Sequence, residues 1–358
     1  MILKSVNIKP QLTIQACKAL LFLSFLTIFA DHCPGAVIES KRLRVKHRVE
    51  CYIPYASNLP IDKKDNSVTH LIIAVYSSGS HVYKGCIELL AKYHNQNNDV
   101  IVISPQFLTA NQVDNNTEEN LLYWKVRPFY GSKLSATKSF DGDLRISAYN
   151  ILEDIISDFC DKEVFPNLKT ITILGHSAGG QMVNRFAASN TVEFDKARPQ
   201  KVMIKYITMN PSSYIYFSPK RSVNWSRKNF QVPSATEIES NPGYNNYAYG
   251  LNSLYYFHRK KGLTPERMKE LYPLRNVVYL LGGEEYVPIG HMSTHPSAMM
   301  QGRNRLERGR IYFGHLIDEF GPGIKDNQKF RIAKGVGHNG RKMILSAPAR
   351  AYILKNSK

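Results

Sequence analysis

The sequence predicts an α/β fold: a mostly parallel central sheet flanked by helices, with a cap or loop insertion. Three observations carry this expectation. Short apolar runs rich in β-branched residues recur along the chain and read as buried strands. Segments with apolar residues at helical spacing stand between them. One run, Lys169–Leu174, passes through Gly175-His176-Ser177-Ala178-Gly179-Gly180 straight into a helical pattern at Gln181–Ala188. The 358 residues, 43% of them hydrophobic, suffice for one large core and argue against disorder.

The N-terminus reads as an export signal. Lys4, Lys9 and Lys18 precede the apolar run Ala19–Ala30. That run is about the length of a signal core and shorter than the ~20 residues a spanning helix needs. Cleavage after Ala30 is expected, although Ile28 is larger than the residue usually preferred there. An uncleaved anchor is the competing reading. Residues 1–30 are thus assigned to a signal peptide, which directs the chain to a secreted or periplasmic location. Residues 31–47 form an N-terminal arm and first edge strand, and 48–358 the main domain.

Arg42–Glu50 alternates polar and apolar residues, as an edge strand does. Thr69–Val75 and Asp99–Ser104 read as buried strands, and 108–143 as a loop-rich excursion. Leu152, Ile155, Ile156 and Phe159 form the core face of a helix. Lys201–Met209, Asn276–Leu281 and a short run at Phe330 supply further strands. Between two of them, 212–275 carries Tyr214, Tyr216, Trp225, Tyr244, Tyr247, Tyr249, Tyr255 and Tyr256 among Asn, Ser and Pro. These rings either line an aromatic or acyl-binding cleft or pack an irregular excursion against itself. Arg303, Arg305, Arg308 and Arg310 lie at partly helical spacing and read as a solvated face, with an anion site as the alternative.

Beyond the signal, Cys33, Cys51, Cys86 and Cys160 permit three full disulfide pairings. Cys33 with Cys51 would tie the arm to the first strand; buried free thiols are the alternative, particularly for Cys160. No Cys/His cluster has metal spacing, so no metal is expected. The formal charge of +18 is scattered along the chain. It suits solubility, or attraction to an anionic substrate or membrane surface. No nucleic-acid motif accompanies it.

The chemistry concentrates at three places. A strand, Gly-x-Ser-x-Gly and a helix form the context of a nucleophile elbow, which holds Ser177 at the carboxyl end of the sheet above a helix N-terminus. A serine needs a base to activate it and an acid to orient that base. His338 stands in the glycine-rich loop Gly335-Val336-Gly337-His338-Asn339-Gly340, after a strand. Of the two strands between Ser177 and His338, only Asn276–Leu281 ends near carboxylates, in Gly282-Gly283-Glu284-Glu285.

With these sites placed, residues 48–358 resemble the α/β-hydrolase superfamily. Leu280-Leu281-Gly282 followed by an acid is similar to its acid loop, and Val336-Gly337-His338 to its histidine loop. Val102–Phe107 and Gln301–Gly309 look like segments of a poorly characterised bacterial and fungal branch of serine esterases and lipases. The resemblance implies Glu285 as the acid, three positions after Gly282, with Glu284 the alternative and Asp318 behind it. It also implies an oxyanion hole built from the amides of Ala178 and of Tyr76 or Ser77. The His-Gly motif often found at that second position is absent here. The implied activity is cofactor-free cleavage of carboxylic esters, on a small-molecule or lipid substrate, through an acyl-enzyme. A lipase or phospholipase at anionic membranes, a peptidase, and a non-catalytic binding protein on the same fold stay open.

Overall fold

Eight strands form the central sheet of the computed structural model, which describes residues 41–75, 90, 92, 99–125, 131, 134–140, 142–286 and 292–354. In chain order they are β1 (Lys41–Val45), β2 (Cys51–Ser57), β3 (His70–Val75), β4 (Val100–Pro105), β5 (Thr170–His176), β6 (Met203–Met209), β7 (Asn276–Gly282) and β8 (Gln328–Ala333). Their spatial order is β1-β2-β4-β3-β5-β6-β7-β8. The pairs β1–β2 and β2–β4 are antiparallel, and all the others are parallel. β3, β4 and β5 are buried along their whole length, because helices and loops cover both faces of a parallel sheet. This explains why the strands carry few polar residues, and why those they do carry, such as Thr170 and Thr172, are buried as well.

β1 stops earlier than the alternation at 42–50 implies. Val45 pairs with Cys51, so the five residues between them turn the chain back into β2. The helix expected around Leu152–Phe159 spans Ala148–Phe159 (α1). Ser147 caps it, accepting from the Tyr149 amide. The helix after the elbow spans Ala178–Ser189 (α2), and a longer one spans Arg305–Phe320 (α3). Among the described residues no helix is long and apolar enough to cross a membrane. The expected signal segment, Cys33 and Cys86 lie outside the described residues.

The excursion at 108–143 folds into a small sheet of three two-residue strands, Leu108–Thr109, Tyr123–Trp124 and Ser135–Ala136. Cys51 and Cys160 are buried free thiols, and burial pushes each up to about 11. Burial thus keeps both sulfurs in the thiol form at neutral pH, which disfavours nucleophilic reaction.

The 212–275 segment divides its aromatic residues by depth. Tyr214, Tyr216, Tyr244 and Tyr247 are buried, and Trp225 is exposed. Tyr214 stacks on Tyr312 of α3 at 4.3 Å, and the Tyr247 hydroxyl meets that of Tyr149 on α1 at 3.2 Å. Tyr249, Tyr255 and Tyr256 are half-buried, while Tyr214 and Tyr247 pack the insertion onto α3 and α1. Their large apolar areas are worth more buried than left in an open groove.

Candidate active site

Ser177 has φ +57° and ψ −118°, a conformation that side-chain-bearing residues rarely adopt. It is held there from both sides. The Ser177 amide donates to the Met209 carbonyl of β6 at 2.9 Å. Gly175 and Gly180 let the backbone close in. A Cβ on Gly175 would lie 2.4 Å from the Gly179 carbonyl, and one on Gly180 2.4 Å from the Met209 carbonyl. The turn from β5 into α2 is thus tight because two side chains are missing. It leaves the serine side chain half-buried at the carboxyl end of the sheet.

His338 arrives from the loop after β8. Its Nε2 lies 3.0 Å from Ser177 Oγ, and its Nδ1 lies 2.6 Å from Glu285 Oε1. The carboxylate can only accept, so the proton belongs on Nδ1. Nε2 then offers its lone pair to the serine hydroxyl. The acid loop and the histidine loop are sewn together by backbone bonds. Gly283 donates to Ala333 at 2.8 Å, and Glu284 to Val336 at 3.0 Å. A Cβ on Gly282 would fall 2.3 Å from the Val336 carbonyl, so this contact requires glycine. Glu285 is 2% exposed, while Glu284 is exposed and bonds the hydroxyl of Tyr286. Asp318 lies on α3, paired with Lys220 at 3.0 Å.

Ala178, the first residue of α2, has an amide with no acceptor within its own helix, as the first amides of any helix do. It follows Ser177 directly and is available to a developing oxyanion. Tyr76 and Ser77, the expected second donors, lie outside the described residues.

Three neighbours of this chain were not singled out from the sequence as site residues. His176, the variable position of the elbow motif, is buried with its ring 4.6 Å from that of His338. Burial, and then electrostatic interaction with His338 and Arg305, hold it down to about 3, so it is neutral. Asn210, with φ +44°, stands just past β6. Its Oδ1 accepts from Gly282 at 2.7 Å, and its Nδ2 donates to His176 Nε2 at 3.2 Å and to the Gly337 carbonyl at 3.4 Å. One amide thereby joins the elbow, the acid loop and the histidine loop. The third is Arg305, whose Nη1 lies 3.4 Å from Glu285 Oε2.

Arg305 and Arg308 overturn the expectation of a solvated arginine face. Both are buried, and only Arg303 and Arg310 are exposed. Arg308 donates to the carbonyls of Gly302 at 2.8 Å and Ser293 at 3.0 Å, and also to that of Ser212. Partners distant in sequence made the burial possible, so spacing along the helix could not reveal it.

His176, Glu285 and His338 offer ligand atoms within 4.8 Å of one another. His176 Nε2 is engaged by Asn210, and His338 Nδ1 by Glu285. The arrangement is suited to moving a proton between a hydroxyl and an imidazole beside a fixed carboxylate.

No family model matches the chain, and neither does any curated protein. Solved structures do. A poly(3-hydroxybutyrate) depolymerase from Bordetella parapertussis is 16% identical with a TM-score of 0.54, over 87% of this chain and 89% of its own. A poly(aspartic acid) hydrolase from Sphingomonas sp. KT-1 is 17% identical with a TM-score of 0.54, over 89% of this chain and 99% of its own. The chain has the α/β-hydrolase fold.

Proposed function

We propose that this protein is a serine hydrolase that cleaves carboxylic esters through an acyl-enzyme, outside the cytoplasm. The observation that carries the reading is the unbroken hydrogen-bonded chain from Ser177 Oγ through His338 to Glu285. A strained serine at an elbow, a base at 3.0 Å and a buried acid behind the base are the three parts that acyl transfer needs. His338 Nε2 takes the serine proton as Oγ attacks the ester carbonyl. The Ala178 amide faces the oxygen that gains charge. The tetrahedral intermediate collapses, the C–O bond to the alcohol breaks, and His338 returns the proton to the departing oxygen. Water then repeats the sequence and releases the acid. Glu285 keeps the imidazole in the required tautomer and stabilises its cation.

The fold leaves the substrate open. The two neighbours are named for a polyester and a poly(amino acid), so oligomeric esters belong in any substrate screen. The test is labelling with a fluorophosphonate probe. The wild-type protein should label and hydrolyse short p-nitrophenyl esters, and Ser177→Ala should lose both while unfolding at an unchanged temperature. A wild-type protein that does not label would favour a binding protein on this fold.

A further inference from the structure

We propose that Arg305 is a positioning residue for the Ser177–His338–Glu285 chain: it clamps the second oxygen of Glu285 and so keeps the first aimed at His338. The inference rests on the catalytic reading above. A glutamate carboxylate turns easily about its last bond, since that torsion has no narrow wells. One hydrogen bond to an imidazole at Oε1 leaves that rotation poorly controlled. Arg305 Nη1 at Oε2 supplies the second point. The same turn of α3 also grips the acid loop through the backbone, as the Leu306 amide donates to the Glu285 carbonyl at 3.3 Å. Asn304 fixes where that turn begins, accepting from Glu307 at 2.8 Å.

Burial makes the placement informative. The Arg305 and Glu285 side chains are 0% and 2% exposed. Taking a guanidinium and a carboxylate out of water is costly, and a well-packed apolar pair often serves stability as well. Stability alone therefore does not account for an ion pair at this position. Its geometry does: the pair ends on the oxygen adjoining the one that orients the base.

The charged and titratable groups around the pair come from four directions. His338 faces Glu285 from the loop after β8, and the Tyr214 hydroxyl lies within its electrostatic reach from the segment after β6. His176 faces Arg305 and His338 from the elbow, and Arg308 lies one turn along α3. Of these groups only Glu285 carries a carboxyl side chain. Loss of Arg305 leaves that carboxylate buried among neutral and cationic groups without its clamp. Proton uptake by the carboxylate is then favoured, and the imidazole loses a nearby positive charge. Both changes move the acid limb of the turnover profile to higher pH.

Arg305→Met should lower kcat per probe-titrated active site roughly 10- to 100-fold, change KM little, and shift the acid limb upward. Arg305→Lys should recover much of kcat and return the acid limb, because it restores the charge. A merely structural role would reduce the labelled fraction and leave kcat per labelled site and the pH profile alone. Should Arg305→Met fold poorly, Glu285→Gln/Arg305→Met removes both charges of this pair, so neither is left buried without the other. If Arg305 acts through Glu285, that double variant should turn over at the rate of Glu285→Gln alone; a further multiplicative loss overturns the proposal. Wild-type kcat and pH profile in Arg305→Met also overturn it, with the catalytic reading intact provided that Glu285→Gln is impaired. An unimpaired Glu285→Gln removes the catalytic reading itself.

Discussion

Adjacent glutamates have opposite surroundings. Glu285 is buried between His338 and Arg305, and Glu284 faces water beside Tyr286. Successive side chains at a strand end point in different directions, so only one can reach the imidazole. Glu285→Gln keeps the size and removes the charge that stabilises the imidazolium. We expect it to lower kcat by about two orders of magnitude or more, since general-base assistance alone contributes ~10²–10⁴-fold. Glu284→Gln should stay within about twofold of wild type, because an exposed charge is screened by solvent. Steady-state kinetics on the two variants decide the matter, and a larger loss in Glu284→Gln would reverse the assignment.

Three elements deliver the three side chains, and glycine sets how closely those elements meet. The loop after β8 crosses the end of β7 at Gly282, where a methyl group would strike the Val336 carbonyl. The obstacle is backbone and cannot swing away. Gly282→Ala should therefore displace the histidine loop. We expect a stability loss of about 1–3 kcal/mol, the usual range for overpacking, together with reduced turnover. A urea midpoint and a kcat both equal to wild type would show that the loop has room to shift. Asn210 links the same loops by hydrogen bonds from the neighbouring strand. Sheet order thus decides which loops converge: β5, β6, β7 and β8 are consecutive neighbours, and their carboxyl ends carry Ser177, Asn210, Glu285 and His338.

Over the whole molecule, buried imidazoles set the response to acid. Burial lowers His176 to about 3 and His258 to about 4, and holds His315 well below its ordinary value. Each accepts a hydrogen bond in its neutral form or lies against a hydroxyl: His315 from the Phe217 amide at 3.1 Å, His258 beside Ser189 Oγ at 2.9 Å. The unfolded chain takes up these protons near pH 6.5 and the folded chain only at much lower pH. The stability they contribute is complete above about 6.5 and is lost as pH falls toward 4 and 3. Each uptake difference is worth up to about 1.4 kcal/mol per pH unit. Asp154 has the opposite sign. Burial raises it to about 6, so its contribution is complete below about 3.8 and lost as pH rises toward 6. It offsets one of the three imidazoles within that window. The urea midpoint should therefore drop between pH 7.5 and 5; a flat midpoint over that range would contradict the burial of neutral histidines.

The sequence by itself determined what is local. Short runs rich in apolar and β-branched residues marked β3, β4, β5 and β7, because strands covered on both faces have no exposed side to show. Gly175-His176-Ser177-Ala178-Gly179 marked the strained turn, because only small neighbours permit it. The tertiary structure decided what depends on partners far along the chain. Arg305 sits at a helical position that water would readily solvate, and its burial follows from a carboxylate 20 residues away. Tyr214 looks the same in sequence whether it lines a groove or stacks on α3, and only the packing places it on Tyr312. His176 is a variable position of a short motif until Asn210 and His338 close over it. Periodicity reports which face of an element is apolar. It carries no information on which charged or aromatic side chain will find its complement across the fold, and that pairing is what sets the electrostatics around Ser177.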